Sequence, residues 1–375
     1  MLTLVSFIIV IAVIILVHET GHYVAARMCG IRVETFSIGF GPRIRSFRWQ
    51  GTEFILAWIP LGGYVKMAGI VDENFDGESS LTGAPDEFMS KTALQKAFVI
   101  CAGVIMNLLL AVVIYTGLFL AWGSQEPSPE PVVAGVYADY PAARAGIQTG
   151  DRFVRINGQP VDTWEDLEQI IRLHAGREIQ VEVDRQGTVV GPLAVTPVSE
   201  KDVDGQSVGR VGIQQGLERV PVGILEAPMM GLAQTGAVIG MAWETLSSLA
   251  SGRASLREVG GPIFIAQMSG TVARNGLVAF LGFIAFISVH IGFMNILPFP
   301  VLDGGHLVYI LIESIIRRPL PTRLKLWINQ AGVVLLLVLM VFIMKNDIQR
   351  LVTGRAADID TVRTEEAAPG DTSGH

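Results

Sequence analysis

The chain has 375 residues, of which 50% are hydrophobic and 17% are charged, a balance typical of an integral membrane protein rather than a soluble enzyme. The net charge of -7 argues against a nucleic-acid partner. Two cysteines, Cys29 and Cys101, are too few for a disulfide framework or a cysteine-based zinc cluster.

The first element is an apolar run that begins at Leu4 and predicts a transmembrane helix reaching about Ala26. A cleaved signal peptide is the alternative interpretation. However, no Lys or Arg precedes the run, and no small-residue cleavage site follows it. We therefore expect this segment to remain in the mature protein.

This run ends in the sequence His18-Glu19-Thr20-Gly21-His22. Because the histidines are four residues apart, a helix places both rings on one face, where they can bind one zinc ion. Glu19 would then be the base that takes a proton from water activated by the metal, and not a ligand. Two ordinary histidines and an exposed glutamate are the plainer interpretation. The membrane setting favours a functional site, because ionisable residues are costly inside a membrane helix.

A β-prone region follows the first predicted span. The runs Thr52 to Trp58 and Tyr64 to Met67 are joined by Pro60-Leu61-Gly62-Gly63, which predicts a membrane-associated β-hairpin. Such backbone is tolerated at membrane depth only where protein or a wet cavity covers it. We expect its edge strand to bind an unwinding substrate by strand addition, through Tyr64, Val65 and Lys66.

Three more apolar runs predict spans at about Ala97 to Trp122, Leu277 to Leu297 and Trp327 to Met344. Lys and Arg are concentrated between the first two spans and between the last two. The positive-inside rule places both connections in the cytoplasm and the segment 123–275 outside. Residues 228–252 predict an amphipathic or interfacial helix on the outer face, because a fifth span would invert the third.

The outer segment 131–198 has the pattern of a small α+β domain. Asn157-Gly158 is a strong hairpin turn, Thr163 caps a helix from Trp164 to Leu173, and Ile179 to Val183 alternates as a half-buried strand. This pattern resembles a bacterial-type PDZ domain, which binds a peptide or C-terminus by strand addition beside a helix. A plain β domain without a ligand is the alternative.

The third predicted span ends in the sequence from Asn295 to His306, NILPFPVLDGGH. A catalytic zinc needs three protein ligands and an open position. Asp303 is placed to be the third ligand, at the membrane depth of the two histidines, because the first and third spans run in the same direction. Asp-Gly-Gly is also a common turn, and His306 is a rival ligand.

His18-Glu19-x-x-His22 together with Asn295-x-x-Pro298 and Leu302-Asp303-Gly304 resembles the site-2 protease family of intramembrane zinc metalloproteases, of the bacterial RseP type. The likeness extends to Phe36 to Pro42, Pro60 to Met67 and Gly260-Gly261-Pro262. It implies Zn²⁺ bound by His18, His22 and Asp303, Glu19 as general base, and Asn295 as a substrate contact. RseP itself has two tandem PDZ domains, whereas this chain has room for one.

We therefore expect a polytopic α-helical membrane protein of the bacterial inner membrane. It would contain four transmembrane helices, a membrane-associated β-hairpin and an inserted extracytoplasmic PDZ (α+β) domain. The predicted segments are 1–26, 27–96, 97–122, 131–198, 199–275, 276–345 and a largely disordered tail, 346–375.

The expected function is that of an intramembrane zinc endopeptidase. It would cut the transmembrane segment of a single-span membrane protein, of the anti-sigma factor or remnant signal peptide class, after a first extracytoplasmic cleavage. An inactive membrane PDZ adaptor is one alternative, but it does not explain why the whole motif is intact. A membrane metal transporter is another, but it needs no general base and often shows internal repeats, which we do not find.

Overall fold

The computed structural model describes residues 1–69, 82–201, 206–255 and 259–352. The chain forms two compact units. The first contains Met1–Ala121 and Val222–Ala356, and the second is built on Trp122–Pro221. The part of the predicted tail from 353 onward lies outside the described residues.

Nine α-helices are present in the described residues. They are α1 (Leu2–Met28), α2 (Ala93–Trp122), α3 (Pro141–Arg144), α4 (Trp164–Leu173), α5 (Ala227–Ala250), α6 (Pro262–Arg274), α7 (Leu277–Asn295), α8 (Asp303–Ile316) and α9 (Thr322–Val352).

Four of these helices, α1, α2, α7 and α9, are long and apolar enough to cross a membrane, and they correspond to the four predicted spans. α9 is longer than its predicted span, since it continues through Lys345 to Val352. Residues 346–352, which the sequence placed in the tail, are therefore helical. α5 matches the helix predicted at 228–252, whereas its position on the outer face stays a prediction.

The described strands are β1 (Val33–Trp49), β2 (Thr52–Met67), β3 (Ser124–Pro127), β4 (Val133–Val136), β5 (Arg152–Ile156), β6 (Gln159–Pro160), β7 (Ile179–Arg185), β8 (Thr188–Val195), β9 (Val198–Lys201), β10 (Ser207–Arg210), β11 (Ile213–Gln215) and β12 (Leu217–Val220).

β1 and β2 form an antiparallel sheet that is folded on itself. Residues 35–38 of β1 pair with residues 53–56 of β2 on one side and with residues 63–66 on the other. The sequence predicted the two runs of β2 to pair with each other, and this was wrong, because β1 lies between them. Gly39 and Gly41, with φ of 91° and 89°, allow β1 to bend where it leaves the centre of the sheet.

α6 packs along α1 and is held at its N-terminus by α9. The buried Asp347 carboxylate accepts hydrogen bonds from the backbone N–H groups of Gly261, Ile263 and Phe264, each at 3.1 Å. A carboxylate stabilises this helix end because the N–H groups are otherwise unpaired and carry partial positive charge. A Cβ at Gly261 would lie 2.7 Å from this carboxylate, so the motif Gly260-Gly261-Pro262 needs glycine there.

The second unit contains a four-stranded sheet in the order β6-β5-β7-β8, with α4 packed on its core. Thr163 and Asp166 form a capping box that begins α4 at the predicted residue. The hydrogen bond from the Thr163 hydroxyl holds the pKa of Asp166 below its usual range.

The unit ends later than the predicted residue 198. β11 pairs with β4, and β12 pairs with β3, so the last strands of the segment complete sheets begun by the first. β10 lies against α4. The small α+β unit predicted from the sequence is therefore present, and its assignment as a PDZ domain stays a prediction.

Candidate metal centre

The helix α1 brings the two histidines of the motif together. His18 and His22 are both buried, and their rings meet edge to face with centroids 4.8 Å apart. The two Nε2 atoms are separated by 3.1 Å. Both rings therefore present the same nitrogen to one point, as the four-residue spacing predicts.

Asp303 begins α8 and reaches the same point from the other end of the chain. Its Oδ2 lies 3.3 Å from His18 Nε2, and its Oδ1 lies 3.5 Å from His22 Nε2. The preceding turn is tight, since a Cβ at Gly304 would lie 2.5 Å from the carbonyl carbon of Ile296. Val301 has a φ of 81°, which is strained for a β-branched residue and is kept only where packing enforces it.

This donor set fits zinc. Ligands placed about 2 Å from a tetrahedral zinc ion lie about 3.3 Å apart, close to the three separations above. With one carboxylate oxygen taken for Asp303, all three ligand atoms lie within 4.8 Å of one another. Asp303 Oδ2 is buried and accepts no hydrogen bond from the described residues, so it is available to a cation.

His306, the rival ligand, does not belong to this group within the described residues. Its ring meets Tyr309 edge to face, and it lines a small cavity together with residues of α2 and α9. Asp303 is therefore the third member of the convergent set.

The helix α2 covers the metal centre closely. His22 Nδ1 lies 2.9 Å from the Val99 carbonyl oxygen, so this ring nitrogen donates to backbone and Nε2 is left free for a metal. A Cβ on Gly103 would lie 2.6 Å from His18 Cε1. The centre can form only because residue 103 has no side chain.

The model of Peptidase family M50 matches residues 6–339 of the chain. The chain belongs to peptidase family M50. A protein of Mesorhizobium japonicum, named as a zinc metalloprotease, is 38% identical over 365 residues, which cover 92% of this chain and 98% of the relative. Relatives with the same kind of name occur in Agrobacterium fabrum, 37% identical over 93% of this chain and 96% of theirs, and in Clostridium perfringens, 36% identical over 89% and 95%.

Family membership confirms the resemblance to site-2 proteases and the enzyme class. This M50 chain is a membrane zinc metalloprotease, so neither the adaptor nor the transporter describes it. A solved PDZ domain from Listeria monocytogenes matches 24% of the chain and 93% of that domain, with 17% identity and a TM-score of 0.20.

The remaining predicted site residues of the M50 chain are Glu19, Asn295 and three residues of β2. Glu19 is half-buried, and its Cγ lies 3.1 Å from the position that a Cβ at Gly63 would take. Asn295 Nδ2 lies 3.4 Å from His18 Nε2. Tyr64, Val65 and Lys66 follow Gly63 in β2, on the segment that lies next to α1.

Sequence reasoning missed Gly103 and Asn107, both on α2. Asn107 is fully buried, and its amide nitrogen lies 3.3 Å from His18 Nδ1. A polar residue within an apolar span was the available signal for Asn107, because such residues are costly in a membrane. Nothing in the local sequence distinguishes Gly103 from other small residues of the span.

The second unit contains a groove of about 600 Å³ between α4 and the strands β10 and β11. One wall is formed by Trp164, Leu167 and Ile171 of α4, and the other by residues 208–215. β4 pairs with one edge of β11, and residues of α4 line the groove.

Proposed function

We propose that this M50 peptidase cuts peptide bonds within the transmembrane segments of single-span membrane proteins. His18, His22 and Asp303 hold Zn²⁺, and Glu19 is the general base. The convergence of these three ligand atoms, contributed by helices at opposite ends of the chain, is the observation that carries the proposal.

Zn²⁺ held by His18, His22 and Asp303 would supply a Lewis acid for the scissile carbonyl and would lower the pKa of water. Glu19 accepts the proton of the attacking water and passes it to the leaving amine. Its Cγ lies 3.1 Å from the position that a Cβ at Gly63 would take, so the side chain of Glu19 lies beside β2. The Asn295 amide, next to His18, donates to the scissile carbonyl oxygen as negative charge develops there.

A helical substrate hides its carbonyls in internal hydrogen bonds and must unwind before it is cut. The segment Gly63–Met67 replaces those bonds by adding the substrate as a strand. Two features support this. The segment has β1 on one edge, and no described strand pairs with its other edge. The same segment begins beside Glu19.

The PDZ-like unit binds a peptide or C-terminus in its groove and excludes substrates that still carry a large external domain. Cleavage is then the second step, after another protease has trimmed the substrate outside. The positive-inside pattern favours an extracytoplasmic unit and a bacterial inner-membrane protein, with substrates of the anti-sigma factor or remnant signal peptide class.

Zinc affinity and cleavage measured together test the proposed roles. Glu19→Gln should keep nearly parental zinc affinity and lose cleavage of a single-span substrate in proteoliposomes. His22→Ala and Asp303→Ala should each weaken zinc binding at least about tenfold, because each removes a ligand. Affinity is read by competition with a chelating dye. Parental zinc affinity in all three variants would show that the ligands lie elsewhere.

A further inference from the structure

Asn107 is a buried polar residue beside the metal centre. It lies on α2, with 0% of its surface exposed, and its side-chain nitrogen is 3.3 Å from His18 Nδ1. Its side-chain oxygen is also buried and has no hydrogen-bond partner among the described residues. A buried amide oxygen without a donor is unusual, so the orientation of this amide needs an explanation.

The metal dictates which hydrogen bond His18 must make. A neutral histidine that presents Nε2 to a metal carries its proton on Nδ1 and donates it to an acceptor. His22 follows this rule, since its Nδ1 meets the carbonyl oxygen of Val99 at 2.9 Å. At His18, the Asn107 NH₂ group faces Nδ1, which would bring two donors together.

A half-turn of the Asn107 amide removes this conflict. Oxygen and nitrogen of an amide have nearly the same shape, and their assignment follows from the hydrogen-bond network. After the half-turn, the oxygen that lacked a donor accepts the proton of His18 Nδ1. The contact between two donors becomes a hydrogen bond at the same distance.

The backbone of Asn107 is also tied to α7. The Ser288 hydroxyl donates to the Asn107 carbonyl oxygen at 2.8 Å, and both residues are buried. The side chain of Asn107 reaches α1 while its backbone is bound to α7. Asn107 therefore joins α1, α2 and α7 beside the centre, and its side chain has little freedom to turn away.

We infer that Asn107 is a positioning residue for the metal: its amide oxygen accepts the Nδ1 proton of His18 and fixes the tautomer that presents Nε2. The inference rests on the proposed ligand assignment. Hydrogen bonds of this kind orient a ligand and raise its basicity, and their loss typically weakens metal binding about 10–100-fold.

Two substitutions test whether the Asn107 side chain acts as a hydrogen-bond acceptor or as a donor. Asn107→Leu removes both groups at similar volume, and we expect zinc affinity to fall about tenfold or more. Asn107→Asp keeps an acceptor, and affinity should stay within a few fold of parental. Asn329→Leu is the matched control, because Asn329 is a buried asparagine of α9 that accepts from the Tyr309 hydroxyl. It should bind zinc like the parent.

Equal weakening by Asn107→Leu and Asn107→Asp would overturn the acceptor role, as would parental affinity in Asn107→Leu. Ring ¹⁵N NMR of the metal-free parent protein decides the matter even if a variant does not fold. We expect His18 to carry its proton on Nδ1 before metal is added, and an Nε2-protonated His18 would contradict the inference. If His22→Ala also bound zinc like the parent, the ligand assignment itself would have failed, which is a separate result.

Discussion

At the scale of single residues, the metal centre depends on Gly103, which has no side chain. Gly103 faces the two imidazoles, and a Cβ at this position would lie 2.6 Å from His18 Cε1 and 2.8 Å from His18 Nε2. Real Cβ atoms do not come so close to other atoms, so α2 or the rings would have to move. The rings have little room, because His22 is tied to Val99 and His18 contacts Asn107.

Gly103→Ala should therefore weaken zinc binding at least about tenfold, the loss seen when the surroundings of metal ligands are disturbed. Gly117→Ala is the matched control on the same helix, since a Cβ there meets no atom within 4 Å. Dye competition on both variants checks the prediction. Equal zinc affinity in Gly103→Ala and Gly117→Ala would mean that α1 and α2 can move apart at no cost in free energy.

At the scale of elements, the double pairing of β1 decides which part of β2 is open. Residues 53–56 are enclosed between the centre of β1 and its second half, whereas residues 63–67 pair along one edge only among the described strands. Their faces are also occupied, since Val65 packs against the cluster around Ala25 and Tyr64 stacks on Phe40 at 6.3 Å. The unpaired edge is thus the part of this segment that remains for a substrate.

Proline substitution tests this edge. Successive N–H groups of a strand point to opposite edges, so one of Tyr64 and Val65 faces β1 and the other faces the open edge. We expect both Val65→Pro and Tyr64→Pro to reduce cleavage of a helical substrate. The variant that loses the inward N–H should also melt at a lower temperature, because it loses a ladder bond.

The outward variant is the informative one. It should keep zinc affinity, membrane insertion and thermal stability while cleavage falls sharply. A folded outward variant that cleaves at the parental rate would remove the strand-addition model. If both variants lose stability and activity together, the segment only packs beneath α1.

At the scale of the whole molecule, the second unit is an insertion whose two ends lie side by side. Ser124 is the register partner of Val220, so the chain enters and leaves the unit at neighbouring positions. This pairing fixes where the unit can be removed. Removal of 131–198 would delete β4 but keep β11, which would then lack its partner strand. The apolar side chain of Ile213 would also lose the core against which it packs.

Removal of 124–220 with a short Gly-Ser linker should leave a folded enzyme that cleaves an untrimmed substrate in cells. Removal of 131–198 alone should yield less folded protein, because β11 would lack β4 and Ile213 would lack its core. Immunoblots of substrate fragments and of the protease itself give both readouts. A folded 124–220 deletion that still demands prior trimming would argue against the size filter.

Local signals predicted much of this molecule. The four apolar helices, the motif from His18 to His22 and the start of α4 at Trp164 each depend on residues close in sequence. The convergence of Asp303 with the histidines also followed, because counting spans fixes the relative depth of two distant segments. The structure places these three side chains together.

Features that depend on long-range pairing could not be predicted in this way. Tyr64 to Met67 is β-prone whichever neighbour it takes, so nothing in its composition shows that β1 separates it from Thr52 to Trp58. β11 is only three residues long, and its pairing with β4 spans most of the unit. Gly103 and Asn107 are important only because another helix lies against them.

The metal centre also sets the time at which this protease can become active during its own synthesis. His18 and Asn295 meet across 277 residues of chain, and Asp303 follows still later. At about 5–20 residues per second, a ribosome needs roughly 14 to 55 seconds to add that length. Throughout this interval the growing chain carries two histidines without their carboxylate. On the proposed ligand assignment, we expect a chain that ends before Asp303 to be inactive, and peptidase activity to begin only after α7 and the start of α8 have been synthesised.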